Sequence, residues 1–229
     1  MKILKNRAFT LAEVLITLGI IGVVSAITLP NLMAAYKARV LRSQFMKSYS
    51  LIQQAYKMME ADGQATYPSY YDRMSNGTQF SEVFKHYFTG ITACSYRKNA
   101  PCFNDTVSPY KSLDGGTKAS VHYFDDGQFA LKDGTLLMIE NPSGVTGTTQ
   151  VWVSVDINGI KGQPNQLGVD VFTFELTDDG FKAMGDDGTK FVGDSFCSLS
   201  GKGYRNGMSC ANKAKNDPDY FKRITRVIK

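Results

Sequence analysis

Twenty residues of nearly unbroken apolar character, Phe9–Thr28 (FTLAEVLITLGIIGVVSAIT), constrain this chain more than anything else in it. The run holds one charge, Glu13, and follows eight residues, Met1–Ala8, that carry Lys2, Lys5 and Arg7 and no acid. At 1.5 Å per residue such a run makes a helix about 30 Å long, the hydrocarbon thickness of a bilayer. Gly19, Gly22 and Pro30 count against a helix in water but are common in membrane helices, and Pro30 can kink the end of this one. The basic leader favours a cytoplasmic N-terminus. Lys37, Arg39 and Arg42 follow the other end of the run, so charge counting alone leaves the orientation open.

Glu13 sorts the possible readings. A secretory signal peptide has the same basic start and apolar middle, with Val24-Ser25-Ala26 as a small-residue cleavage site. An uncleaved signal anchor shares those features. Neither has a use for an acid in the apolar run. On insertion scales an acid at a helix centre costs about 2.5–3.5 kcal/mol, less near an end, so such a residue reads as functional and in need of a partner.

The residues around Glu13 carry a resemblance. Lys5-Asn6-Arg7-Ala8-Phe9-Thr10-Leu11-Ala12-Glu13-Val14-Leu15-Ile16 resembles the cleavage and methylation motif of type IV prepilins and type II secretion pseudopilins, and Pro30-Asn31-Leu32 resembles that family's helix-kinking proline segment. Ala8 stands where the family usually has glycine, and Ala12 where a bulkier apolar residue is commoner. The resemblance implies cleavage between Ala8 and Phe9 by a prepilin peptidase, N-methylation of Phe9, and assembly roles for Glu13 and Pro30. It also implies that the new amine on Phe9 pairs with a neighbour's Glu13, which removes the cost of a lone buried charge and sets axial register between subunits. The implied partners are other pilin or pseudopilin subunits, the peptidase/methyltransferase and an inner-membrane assembly platform. The implied location is a single pass through the inner membrane with the head exported, then a periplasmic or cell-surface filament.

Past Pro30, Leu41, Phe45, Tyr49, Ile52, Tyr56 and Met59 recur at steps of three or four. The helix therefore continues to about Glu60, with Asp62-Gly63 to end it and Lys37, Arg39, Arg42, Lys47, Gln53 and Lys57 on its polar face. This divides the chain into a leader, 1–8; a helix, 9–60, of which 9–29 is the transmembrane or filament-core part; and a β-rich exported head, 61–229. In the head, Ser81–Phe88 reads as a short helix capped by Ser81. Val121–Phe124, Gln128–Leu131 and Thr135–Glu140 read as short strands separated by Asp125-Asp126-Gly127 and Lys132-Asp133-Gly134. Gln150–Asp156 and Val169–Leu176 are the clearest strands, while Asp178-Asp179-Gly180 and Asp186-Asp187-Gly188 read as turns. Four or five antiparallel strands would cover the helix stripe. That is an α+β, pilin-like architecture: a long N-terminal α-helix packed on an antiparallel sheet. The stretch from Gly193 reads as loop-rich, with a basic end at Lys222–Lys229.

Cys94, Cys102, Cys197 and Cys210 fall into two sequence-local pairs without metal-ligand spacing, and neither His86 nor His122 lies near them. In an exported protein two short disulfide loops are the simplest reading, although four cysteines allow three connectivities. The net charge of +5 falls to about +2 without the leader, so there is no electrostatic case for a nucleic-acid binder. Asp156 and Asn158, with Asp170 downstream, have some of the oxygens of a calcium loop, and some members of the resembled family bind calcium in this part of the head. No Glu closes the loop, however, and a turn explains Asn158-Gly159; no metal or other cofactor is expected. Neither a P-loop nor a Gly-x-Ser-x-Gly elbow is present, and Trp152 in its apolar strand is expected in the core. The expected function is structural: a minor or major pilin, or a pseudopilin, of a type IV pilus or type II secretion filament, and not an enzyme. The alternative is a binding module of the same fold, an adhesin or DNA-uptake tip subunit, which an aromatic or basic surface patch would favour. A membrane-anchored exported enzyme ranks behind both.

Overall fold

The computed structural model describes residues 9–71, 80–94, 101–103, 107–141 and 150–227. The basic leader, with Ala8, lies outside them. Helix α1 spans Leu11–Ala61 and runs through Pro30 without interruption. At its C-terminus Asp62 caps and Gly63 turns the chain at a φ of +68°, as the Asp-Gly pair predicts. At about 75 Å long, α1 outreaches any single core. Its first half is uncovered among the described residues: no part of the apolar window is buried by them, and the helix is long and apolar enough to cross a membrane. Its second half buries Leu41, Phe45, Ile52, Tyr56 and Met59 of the predicted stripe, with Tyr49 half-buried among them, and also Ala38, which the stripe did not include.

What covers that stripe is a sheet and a short C-terminal helix. After α2 (Phe80–Phe84) come β1 (Thr92–Ala93), β2 (Gly127–Ala130), β3 (Leu136–Glu140), β4 (Val151–Asp156), β5 (Val171–Thr177) and β6 (Gly180–Ala183). They form one six-stranded antiparallel sheet in chain order. Side chains alternate across a strand, and here both faces are buried. Leu137, Ile139, Val151, Val153, Val155, Phe172, Phe174 and Leu176 face α1. Leu136, Met138, Trp152 and Val171 enter a second core, roofed by Phe103, Tyr110, Phe124, Phe191 and Met208. This explains why β4 and β5 read as apolar runs. One pair of their polar residues meets across the ladder: Ser154 stands opposite Thr173, with the two hydroxyls 2.8 Å apart.

Several local expectations need correction. Val121–Phe124 is not a strand: Val121–Tyr123 is one turn of 3₁₀ helix, closed by the Phe124 N–H donating to the Val121 carbonyl. Thr92–Ala93 already occupies the ladder beside β2, and Phe124 is drawn into the second core instead. Ser81 is not a cap but a buried residue inside α2, its hydroxyl donating to the Asp126 carbonyl at 3.2 Å. Among the described residues the sheet has six strands, since Thr92–Ala93 joins it at one edge and Gly180–Ala183 returns along β5 at the other. Gly180 enters β6 at a φ of +107°, and a Cβ there would sit 3.3 Å from the Tyr56 ring. The C-terminal stretch is not all loop: it holds α3 (Cys210–Asn216) and α4 (Tyr220–Val227). Tyr220, Phe221 and Ile224 of α4 are buried, with the Phe221 ring 5.9 Å from that of Phe45. The whole is an α+β, pilin-like arrangement: a long N-terminal helix whose distal half is packed on an antiparallel sheet.

Candidate assembly site at the N-terminal helix

The start of α1 is built by two residues acting on each other. Thr10 is extended, as a helix N-cap must be, and its hydroxyl accepts from the Glu13 N–H at 3.2 Å. The Glu13 carboxylate reaches back and accepts from the Thr10 N–H at 2.8 Å and from its hydroxyl at 2.9 Å. This capping box satisfies amides that the first turn otherwise leaves without partners. Thr10-x-x-Glu13 is the sequence signature of such a box, and the reading of Glu13 as a lone acid did not include it. Its consequence is chemical. Glu13 has a partner within its own chain, and that partner places the carboxylate against the residue following Phe9. Phe9 itself is 86% exposed.

Three other polar side chains of the apolar half also bond within the helix, to carbonyls of the preceding turn. The Thr17 hydroxyl donates to the Val14 carbonyl, the Thr28 hydroxyl to the Val24 carbonyl, and the Asn31 side-chain amide to the Ile27 carbonyl at 3.3 Å. Each group is satisfied inside one helix, the condition for a segment placed among lipid tails or apolar neighbours. Pro30 sits between Thr28 and Asn31, where these side chains bond the carbonyls of the preceding turn.

The remaining predicted site residues lie in the head. Cys94 is bonded to Cys102, and Cys197 to Cys210. The second bridge ties the start of α3 to the turn at Asp194–Phe196, and Lys213 fastens the same corner through the Cys197 carbonyl and Asp194. Asp156, Asn158 and Asp170 are brought together at the connection between β4 and β5. Asp156 accepts from the Tyr110 hydroxyl at 3.1 Å and the Asn158 N–H at 3.3 Å. Asp170 accepts from the Asn165 and Gln166 N–H groups at 2.9 and 2.7 Å, and from the Asn158 side-chain amide at 3.3 Å. These oxygens clamp a loop, with Asn158 presenting its N–H groups to both carboxylates. Among the described residues no group of three or more His, Cys, Asp or Glu is placed to hold a metal ion. Burial and the nearby Asp170 push Asp156 up to about 7, and burial raises Asp170 against the amides it caps.

On the far side of the sheet lies an aromatic patch within the Cys197–Cys210 loop. Tyr204 stacks on Tyr123 with ring planes 11° apart. Arg205 donates to the Tyr123 hydroxyl at 2.9 Å and lies over the Tyr204 and Phe191 rings. Arg205 is thus engaged by aromatic neighbours within the head. Trp152 is buried beneath, against Tyr123 and Phe191. His86 and His122 are exposed, and His122 stands 3.5 Å from Asp125.

Glu140, which sequence reasoning did not single out, is buried at the end of β3, and its Oε2 has no hydrogen-bond partner among the described residues. Burial first, then the neighbouring Asp126 and Asp125, push its pKa up to about 9. The folded protein therefore keeps a proton that the unfolded chain releases near the ordinary value of 4.5. The stability tied to this group is fully present below that value and is lost as pH rises towards 9. Glu140→Gln removes the ionisation and supplies a donor for the adjacent carboxylates. Its thermal midpoint is expected to exceed that of the parent by about 10 °C at pH 8 and to come within about 1 °C of it at pH 4. Equal differences at both pH values would contradict this.

Comparison with known proteins agrees with the geometry of α1. Residues 3–29 match the family model described as the prokaryotic N-terminal methylation motif, the signature of type IV pilins and pseudopilins. Neither the curated proteins nor the solved structures contain a match to the chain.

Proposed function

We propose that this chain is the precursor of a filament subunit of the type IV pilin and pseudopilin class, working by assembly and not by catalysis. The observation that carries the reading is a helix half that none of the other described residues covers, with the Thr17, Thr28 and Asn31 side chains turned back on the backbone and Glu13 in sequence register with Ala8-Phe9. Such a surface needs lipid tails or other helices. It can exchange one for the other, since both are equally apolar. The prepilin peptidase removes residues 1–8 and the new amine of Phe9 is methylated. The apolar half of α1 holds the subunit in the inner membrane with residues 61–229 exported, then packs among the same helices of other subunits to form a pilus or secretion filament. Intact-mass and peptide analysis of protein from peptidase-competent cells tests the processing. The expected product begins at N-methylated Phe9. A start at Ile27, or an intact Met1, would overturn it.

The filament environment also explains why one acid is retained in the apolar run. Within a single chain the Glu13 carboxylate satisfies two donors of Thr10. Among packed helices it offers its remaining acceptor capacity to the cationic N-terminus of a neighbouring Phe9. A carboxylate paired and hydrogen-bonded in this way is tolerated away from water, whereas a lone one is not.

A further inference from the structure

Helix α4 returns along α1 towards its apolar half. The Phe221 ring lies against Phe45, and four residues later the Thr225 hydroxyl reaches the Ala34 carbonyl at 3.4 Å. The C-terminal end of α4, Arg226 and Val227, is therefore level with Ala34. That level is where the covering of α1 begins: Leu32 and Met33 are exposed, Ala34 is half-buried and Ala38 is buried. Leu11 to Met33 measures about 34 Å as a helix, slightly more than the hydrocarbon thickness of a bilayer. With α1 in the membrane, the end of α4 stands at the lipid headgroups.

The chemistry at that level suits an anionic lipid surface. Lys37, Arg39 and Arg226 are exposed, and none makes an ion pair among the described residues. The acids of this corner, Asp217 and Asp219, stand before the opposite end of α4, where they pair with Arg223 and Lys222. Charge is thus sorted along the helix, with free cations nearest the membrane and acids farthest from it. Exposed apolar groups accompany the cations: Met33 and Tyr36, each 70% exposed, line a groove with Thr225 and Lys37, and Val227 at the end of α4 is 57% exposed. Basic side chains beside an apolar rim are the composition of helices that lie in the membrane interface.

We propose that α4, with Lys37 and Arg39 of α1, is a foot that rests on the anionic phospholipid headgroups of the membrane α1 spans before assembly, fixing the tilt of the head above it. This rests on the membrane-anchored reading given above. The same cations then account for the positive charge beyond the outer end of the apolar run, which charge counting alone could not place.

The test uses the full chain in lipid nanodiscs of phosphatidylcholine alone or with roughly a third phosphatidylglycerol. A fluorophore is attached at Val227→Cys, with headgroup-labelled and tail-labelled quencher lipids. An Ile21→Cys label reports insertion of α1. Quenching at 227 by the headgroup label is expected to be at least about threefold greater in anionic discs, and to fall to the neutral level at high salt. The same fall is expected in the triple variant Lys37→Gln, Arg39→Gln, Arg226→Gln, which changes exposed side chains only. With position 21 quenched by the tail label, equal quenching at 227 in both disc types overturns the foot and leaves the anchored reading standing. Quenching at 227 that ignores salt and the triple variant also overturns it. Disulfide formation between two unlabelled Val227→Cys chains under a mild oxidant, in place of quenching of the labelled protein, would assign the face to a second copy of the chain and likewise overturn it. An unquenched position 21 removes both readings.

Discussion

Glu13→Gln is expected to leave peptidase processing intact and to reduce the amount of subunit recovered in filaments by about tenfold or more. Gln is the informative change because it separates two roles of this side chain. Glutamine at the third helical position still closes a capping box, so the bonds to Thr10 survive in kind. What it cannot do is neutralise the charged amine of a neighbour's Phe9. That cation would then be buried among apolar helices without its counter-charge, the costly half of a broken pair. Glu13→Ala removes the cap as well. Loss of a cap costs about 1 kcal/mol, so Ala should be somewhat worse than Gln in filaments. The measurement is the ratio of sheared filament protein to membrane-bound protein, with the mature N-terminus of each pool read by mass spectrometry. Normal assembly of Glu13→Gln together with failure of Glu13→Ala would assign the residue to the capping box alone.

Phe45→Ala is expected to lower stability by about 3–5 kcal/mol, the range for deleting a buried Phe. Few residues tie the fold together as this one does. Its ring is fully buried where three elements meet: centroids lie 4.7 Å from Phe172 and 6.0 Å from Phe174 of β5, and 5.9 Å from Phe221 of α4. Removing it opens a cavity between the anchor helix and the head, and unseats α4 in the same step. For a chain of this size the loss corresponds to about 10 °C in thermal midpoint. Met58→Ala, at a 52% exposed position on the same helix, should change it by no more than about 2 °C. Thermal unfolding of the full chain in detergent decides the matter, and similar midpoints for the two variants would refute the claim that Phe45 joins the helix to the head.

The parts of this molecule that were legible from the sequence are those whose physics is local. The apolar run, the acid inside it and the stripe from Leu41 to Met59 each depend only on residue type and a period of three or four. The Asp-Gly and Asn-Gly turns are local as well, and β2 to β5 fell close to their expected bounds. Even the capping box was local, since Thr10 and Glu13 are three residues apart. Failures came where apolar residues had more than one possible cover. Val121–Phe124 has the composition of a strand, but the ladder position beside β2 belongs to Thr92–Ala93, and Phe124 fills a second core that no periodicity announces. Tyr220, Phe221 and Ile224 have helical spacing, but in a short basic segment that spacing alone does not say what the apolar face packs on.

The sequence by itself determined that this chain has a helix of membrane length with an acid near its start, continued by an amphipathic half that needs a covering sheet. It did so because hydrophobic run length and period are properties of neighbouring residues. Only the tertiary structure decided what covers that half, that both sheet faces are buried, and that the C-terminal helix runs back to the level where the apolar half ends. Those outcomes depend on contacts between residues far apart in the chain, such as Phe45 with Phe221 or Ala34 with Thr225. For such pairs, burial and shape select a partner that local pattern leaves open.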